Sequence, residues 1–191
     1  MDDVQRVLQW LCFSRRPVRL DEIIDALAIT PGDIPEFDPD ERYADPRDIL
    51  MRCSSLVSVL TTQEGDILRL AHFSVKEYLV SDRSRNRRAH LYGVVEDSAN
   101  ELIAQTCLAY LLQFKTEDCR EPFIIKDYPL AEYAAGYWID HFRTQKDPDS
   151  GTSIALIMEL FQTSEETQHV SSIPLQDAHV FTTGLSTLRN L

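Results

Sequence analysis

The residue with the sharpest chemistry in this chain is His72, in the run His72-Phe73-Ser74-Val75-Lys76-Glu77-Tyr78. An imidazole can donate a hydrogen bond to an anion, and its charge is tunable near neutral pH. Ser74 and Glu77 stand at capping-box spacing, which predicts that Ser74 opens a helix here. The plainer alternative is a histidine at the end of a hairpin, satisfied by backbone groups.

A second constellation imitates a hydrolase. Gly151-Thr152-Ser153-Ile154-Ala155 has the outline of a nucleophile elbow, and Asp177 and His179 follow in hydrolase order. An elbow needs a buried strand before its serine, and residues 146–150 read as a polar turn. The sequence also lacks a G-x-x-x-x-G-K-[ST] loop, with only six glycines to build any substitute. The expectation is a chain that is not an enzyme and holds no cofactor of its own.

Nucleic acid is the next chemistry to weigh. Arg47 and Arg52 lie on the predicted third helix, but Asp45 and Asp48 accompany them. A groove-reading helix should be clearly basic. The net charge is −12, and residues 1–82 carry 9 Lys/Arg against 16 Asp/Glu. Such a chain is repelled by phosphate polyanions. Arg83, Arg85, Arg87 and Arg88 form the one basic stretch, which reads as a solvated linker. Tyr133, Tyr137, Trp138 and Phe142 repeat at helical spacing and read as core.

Cys12, Cys53, Cys107 and Cys119 include no C-x-x-C pair, so no metal site is expected. The first three lie in apolar helical runs, as free cysteines in a reducing compartment do. The N-terminus is acidic, and no apolar run approaches the ~18–20 residues needed to span a bilayer. A cytoplasmic protein with no membrane contact follows.

Three helices are expected first, at about 2–13, 20–29 and 46–54, with an acidic loop at 31–45 between the last two. Asp45-Pro46 reads as N-cap and first helical residue. Residues 56–60 and 67–70 then form a hairpin around Glu64-Gly65-Asp66. A short helix runs from Ser74 to near Asp82. Three helices followed by a hairpin is the order of a winged helix. The fold class expected is mainly α with a small β-hairpin, a winged helix followed by an α-helical segment. The divisions are a winged-helix domain at 1–82, a basic linker at 83–97, a helical segment at 98–162 and a loose tail at 163–191. Helices are expected at about 98–114, 130–143 and 154–161.

Longer runs carry a family resemblance. Residues 7–20, Asp45-Pro46-Arg47-Asp48-Ile49-Leu50 and especially Leu70-Ala71-His72-Phe73-Ser74-Val75-Lys76-Glu77-Tyr78-Leu79 resemble a module of fungal NACHT–ankyrin proteins of the STAND type. That module is called the GPI inositol-deacylase winged helix domain. Residues 104–112 and 129–138 resemble the helices that follow it, and Pro174 to Leu191 is similar to a degenerate opening of an ankyrin-type repeat. The resemblance implies a non-catalytic regulatory and interaction module that couples the nucleotide state of a NACHT ATPase to helical and repeat regions. Its partner would be the NACHT ATPase domain, in cis in the family or in trans for a chain that opens at the winged helix, as a fragment or remnant would. In animal NACHT receptors a histidine in a similar H-x-[ST]-x-x-E-[FY] pattern contacts the β-phosphate of ADP. His72 would by resemblance be that nucleotide-state latch, active only beside an ATPase. The rival readings are a nucleic-acid-binding winged helix and a remnant hydrolase.

Overall fold

A computed structural model describes residues 2–30, 32, 35–53, 55–85, 93–115, 127–146 and 151–167. The first helix, α1 (Asp3–Phe13), buries Val4, Val7, Leu8, Trp10 and Cys12. It stops at Ser14, whose N–H bonds back to the Trp10 carbonyl, just before Pro17 blocks continuation. A two-residue strand, β1 (Val18–Arg19), leads into α2 (Leu20–Leu27). Glu22 anchors the start of α2 by accepting the Arg19 N–H at 2.7 Å, and it is fully buried between Arg16 and Arg19.

The stretch 31–45, expected as loop, is more structured than its composition suggests. A short ladder joins β2 (Ile29–Thr30) to β3 (Glu36–Phe37), and a 3-10 turn follows at Pro39–Glu41. Asp38 caps that turn through the Asp40 N–H. Phe37 is buried edge-on against Tyr110, with ring centroids 4.8 Å apart. An apolar side chain two residues after a proline is enough to pull an acidic loop onto the core.

Asp45 accepts the Arg47 N–H at 2.9 Å and opens α3 (Arg47–Cys53), which turns Ile49 and Cys53 inward. The hairpin β4 (Val57–Thr62) and β5 (Gly65–Leu70) pairs from Val57↔Leu70 to Thr62↔Gly65. Its turn is tighter than expected, at Gln63 and Glu64, since Gly65 and Asp66 already pair. Gly65 sits at φ 125°, a conformation open to glycine and strained for any side chain.

The sheet has three strands rather than the two expected, in the order β1-β5-β4. Val18↔Leu68 and Arg19↔Ile67 add the segment between α1 and α2 to the free edge of the hairpin. Two residues are too short a run to show a period of two, so spacing could not reveal this strand.

Beyond the hairpin come α4 (Phe73–Val80) and the short α5 (Asp82–Arg85). The expected opening of α4 at Ser74 needs correction: its N-cap is His72. The start of the expected basic linker is therefore helical, and its end is packed: Val94 is buried and bonds to the Leu79 carbonyl. Residues 86–92 lie outside the described residues, as do Cys119 and the tail from 168 onward.

The long helix α6 (Glu96–Leu112) starts two residues before its expected bound, since Glu96 and Asp97 suit a helix N-terminus. It is buried on nearly every side, as a helix between two layers must be. The helix α7 (Ala131–Thr144) packs on it, and so does α8 (Gly151–Thr167), which is longer than the apolar run at 154–161. Core residues from α1, α2 and α3 join those of α6, α7 and α8 in one continuous cluster. The structure is a winged helix followed by helices, with the two segments sharing that core.

Candidate functional site

His72 stands where β5 hands over to α4, and its ring is exposed. The ring is not free to rotate. Its Nδ1 accepts the Ser74 backbone N–H at 3.2 Å and lies 2.7 Å from the Ser74 hydroxyl. A nitrogen that accepts a backbone N–H carries no proton, so in the neutral ring Nε2 is the N–H donor, and it points away from the cap. The ring also lies against Phe73, with centroids 4.3 Å apart.

Around it is a shallow groove of about 390 Å³, lined by Leu70, His72, Phe73, Lys76, Glu77 and Val80. Phe73 is 69% exposed and Tyr78 44% exposed. Lys76 lines the groove, and its Nζ lies 5.4 Å from the centre of the Phe13 ring at the end of α1. The site therefore offers one oriented N–H donor, one cation, one carboxylate and apolar walls. The donor and the cation could hold an anionic group set clear of the Glu77 carboxylate.

The other residues singled out by type and spacing fare differently. Ser153 lies in the first turn of α8, fully buried, with its Oγ 3.3 Å from the Gln105 amide nitrogen. A serine at that depth is not presented to substrate, and Asp177 and His179 lie outside the described residues. On α3, Arg52 is held by Asp2 at 2.7 Å, Asp3 at 3.5 Å and the Tyr43 hydroxyl at 3.1 Å. Arg52 is thus matched by acids at the start of α1, while Arg47 is exposed. Of the arginine stretch, Arg83 is exposed on α5, and Arg87 and Arg88 lie outside the described residues. Tyr133 and Trp138 are buried, Tyr137 and Phe142 partly so, as core aromatics should be. Cys12, Cys53 and Cys107 are buried free thiols, and burial pushes the Cys12 thiol up to about 11. They are unreactive as nucleophiles.

Sequence reading missed three buried polar clusters. Arg6 lies under α2 and donates to the carbonyls of Leu27 and Ile29, capping that helix end. Asp25 receives both the Arg42 guanidinium, at 2.6 Å, and the Tyr110 hydroxyl. Tyr133, His141 and Asn100 form a chain of hydrogen bonds between α6 and α7. The one signal available was a polar residue inside an apolar stripe, as Asp25 is within Ile23-Ile24-Asp25-Ala26-Leu27.

Among the described residues, no group of three His, Cys, Asp or Glu side chains is placed to hold a metal ion. No described helix is long and apolar enough to cross a membrane.

Residues 1–91 match the family described as "GPI inositol-deacylase, winged helix domain". The chain is also similar to "Azaphilone pigments biosynthesis cluster protein L" of Monascus ruber, at 36% identity over 152 residues. That alignment covers 77% of this chain and 32% of the relative, so the chain spans about a third of the length of the curated relative it matches. No solved structure matches.

Proposed function

We propose that this winged-helix chain is a non-catalytic regulatory module of a NACHT-type signalling ATPase. It packs on the ATPase domain, within one polypeptide or as a separate chain, and passes the ADP or ATP state on to α6–α8. The observation that supports this reading is the exposed His72, held by its own cap so that Nε2–H faces outward beside the groove. A donor oriented in advance suits a phosphate oxygen supplied by a neighbouring domain. The bland alternative, that the ring only closes a helix end, leaves the Nε2–H without a task.

The groove supports the same reading. The exposed Phe73 beside charged groups suits a surface that a second domain covers. The phosphate cradle itself would come from that domain, since this chain has no Gly-rich loop to supply one. The match to a fungal relative with a much longer chain fits a module that works beside other segments.

The test is ADP retention in a full-length NACHT protein carrying this winged-helix segment. His72→Asn keeps a capping side chain and removes the outward Nε2–H. Faster ADP release from the variant, with unchanged folding of the module, is the expected result. Equal retention by wild type and variant overturns the latch.

A further inference from the structure

We propose that the corner at residues 13–16 is a built joint that makes the wing unit and the helical segment move as one body, carrying displacement at the His72 groove into α6 and α7. Phe13, Arg15 and Arg16 between them grip α4, α6, α7 and α2. Phe13, at the end of α1, takes the Lys76 ammonium of α4 on its ring face at 5.4 Å. The Arg15 N–H donates to the Tyr133 hydroxyl of α7 at 3.0 Å. The Arg15 guanidinium bonds the Asp140 carbonyl at 2.9 Å and reaches Asn100 of α6 at 3.4 Å. Arg16 pairs with Glu22 of α2 at 2.6 Å and lies 5.0 Å over the Tyr133 ring.

Behind this corner the hydrogen bonds have one consistent direction. The Asn100 Nδ2 donates to the Glu96 carbonyl at 2.9 Å, which fixes the amide and leaves Oδ1 as an acceptor. His141 Nδ1, 2.8 Å from that oxygen, must donate to it. His141 Nε2 is then an acceptor, 2.8 Å from the Tyr133 hydroxyl, which donates to it while accepting from Arg15. Tyr133, Asn100 and His141 are all fully buried. A closed, fully satisfied network at this depth tolerates few alternative arrangements, so it behaves as a rigid part. Trp10 of α1 packs on the same Tyr133 ring, with centroids 5.1 Å apart. The joint thus stands between the groove and the long helices, and α4 reaches it through Lys76.

Its use in signalling rests on the regulatory reading above; its mechanics do not. The experiment is amide hydrogen exchange on the full chain, comparing wild type with Tyr133→Phe. Loss of the hydroxyl orphans the Arg15 N–H and a His141 nitrogen, and should speed exchange about tenfold in α7. A joint predicts that exchange in α4 and the end of β5 rises as well. Faster exchange confined to α6 and α7, or no change anywhere, overturns the proposal. Arg15→Ala, which keeps the backbone donor and perturbs folding less, should give the same two-sided pattern at smaller amplitude. Tyr137→Phe, at a neighbouring ring outside the network, should leave α4 unchanged. A two-sided pattern in a protein whose His72 variants retain ADP normally would retire the latch and keep the joint.

Discussion

His72 accepts the Ser74 backbone N–H through Nδ1, so the candidate latch is also the N-cap of its own helix. The sequence posed these as alternatives, an exposed ring with a task or a histidine satisfied by backbone. The structure shows the backbone bond on Nδ1 and an exposed ring; the task of Nε2 belongs to the latch proposal.

Stability measurements can separate the two nitrogens. His72→Ala removes the cap and should cost about 1 kcal/mol, within the ~0.5–2 range for lost N-caps. His72→Asn and His72→Ser restore a capping side chain and should recover most of that loss. Urea denaturation of the isolated chain reads both. An Asn variant as unstable as the Ala variant would mean that the ring stabilises by packing on Phe73 instead.

His141 sets an acid limit. Burial, with the Arg15 charge adding to it, lowers its pKa to about 3. Unfolded, the imidazole takes up a proton near its ordinary value of about 6.5. The unfolded chain therefore binds more protons than the folded one between those values, and stability falls as pH drops through that window. The slope from this group approaches ~1.4 kcal/mol per pH unit. His141→Gln should be less stable at neutral pH and show a shallower fall between pH 6 and 4. Parallel profiles for the two proteins would sink this assignment.

Asp25 works in the opposite direction. Burial raises its carboxyl above the usual range even though Arg42 and Tyr110 both bond it. Arg42→Ala leaves that carboxylate buried without its counter-charge. The variant should lose more stability at pH 8 than at pH 4, because protonation of Asp25 relieves the defect. Denaturation midpoints at the two pH values measure it, and an equal loss at both would show that Arg42 acts by packing on Phe37 instead.

Duplex DNA should not bind tightly. Arg52 is matched by Asp2 and Asp3, and residues 1–82 carry a large acidic excess. Fluorescence anisotropy with a short labelled duplex at physiological salt should show no sub-micromolar complex. Tight binding that weakens steeply with salt would restore the nucleic-acid reading.

The purified chain should hydrolyse neither ATP nor an ester probe. Ser153 is buried and bonded to Gln105, and no Gly-rich phosphate loop occurs in the sequence. Turnover that follows the protein through purification, and disappears in Ser153→Ala, would contradict this.

Local order was legible from the residues alone. Val4, Val7, Leu8 and Cys12 announce α1, and the change to alternating apolar residues after Ser55 announces the hairpin, because periods of 3.6 and 2 are written within one segment. His72 at the hairpin exit followed from that order. The partners of its two sides did not: Ser74 was expected as the cap, and only the backbone geometry made it the donor instead. Strand β1 was out of reach because two residues carry no period. The joint was further out of reach, since Arg15 and Tyr133 are 118 positions apart and no periodicity links them. Spacing encodes which face of a helix is apolar. Which buried polar groups meet across two such faces is decided by packing, where each must find a partner or bear the cost of desolvation.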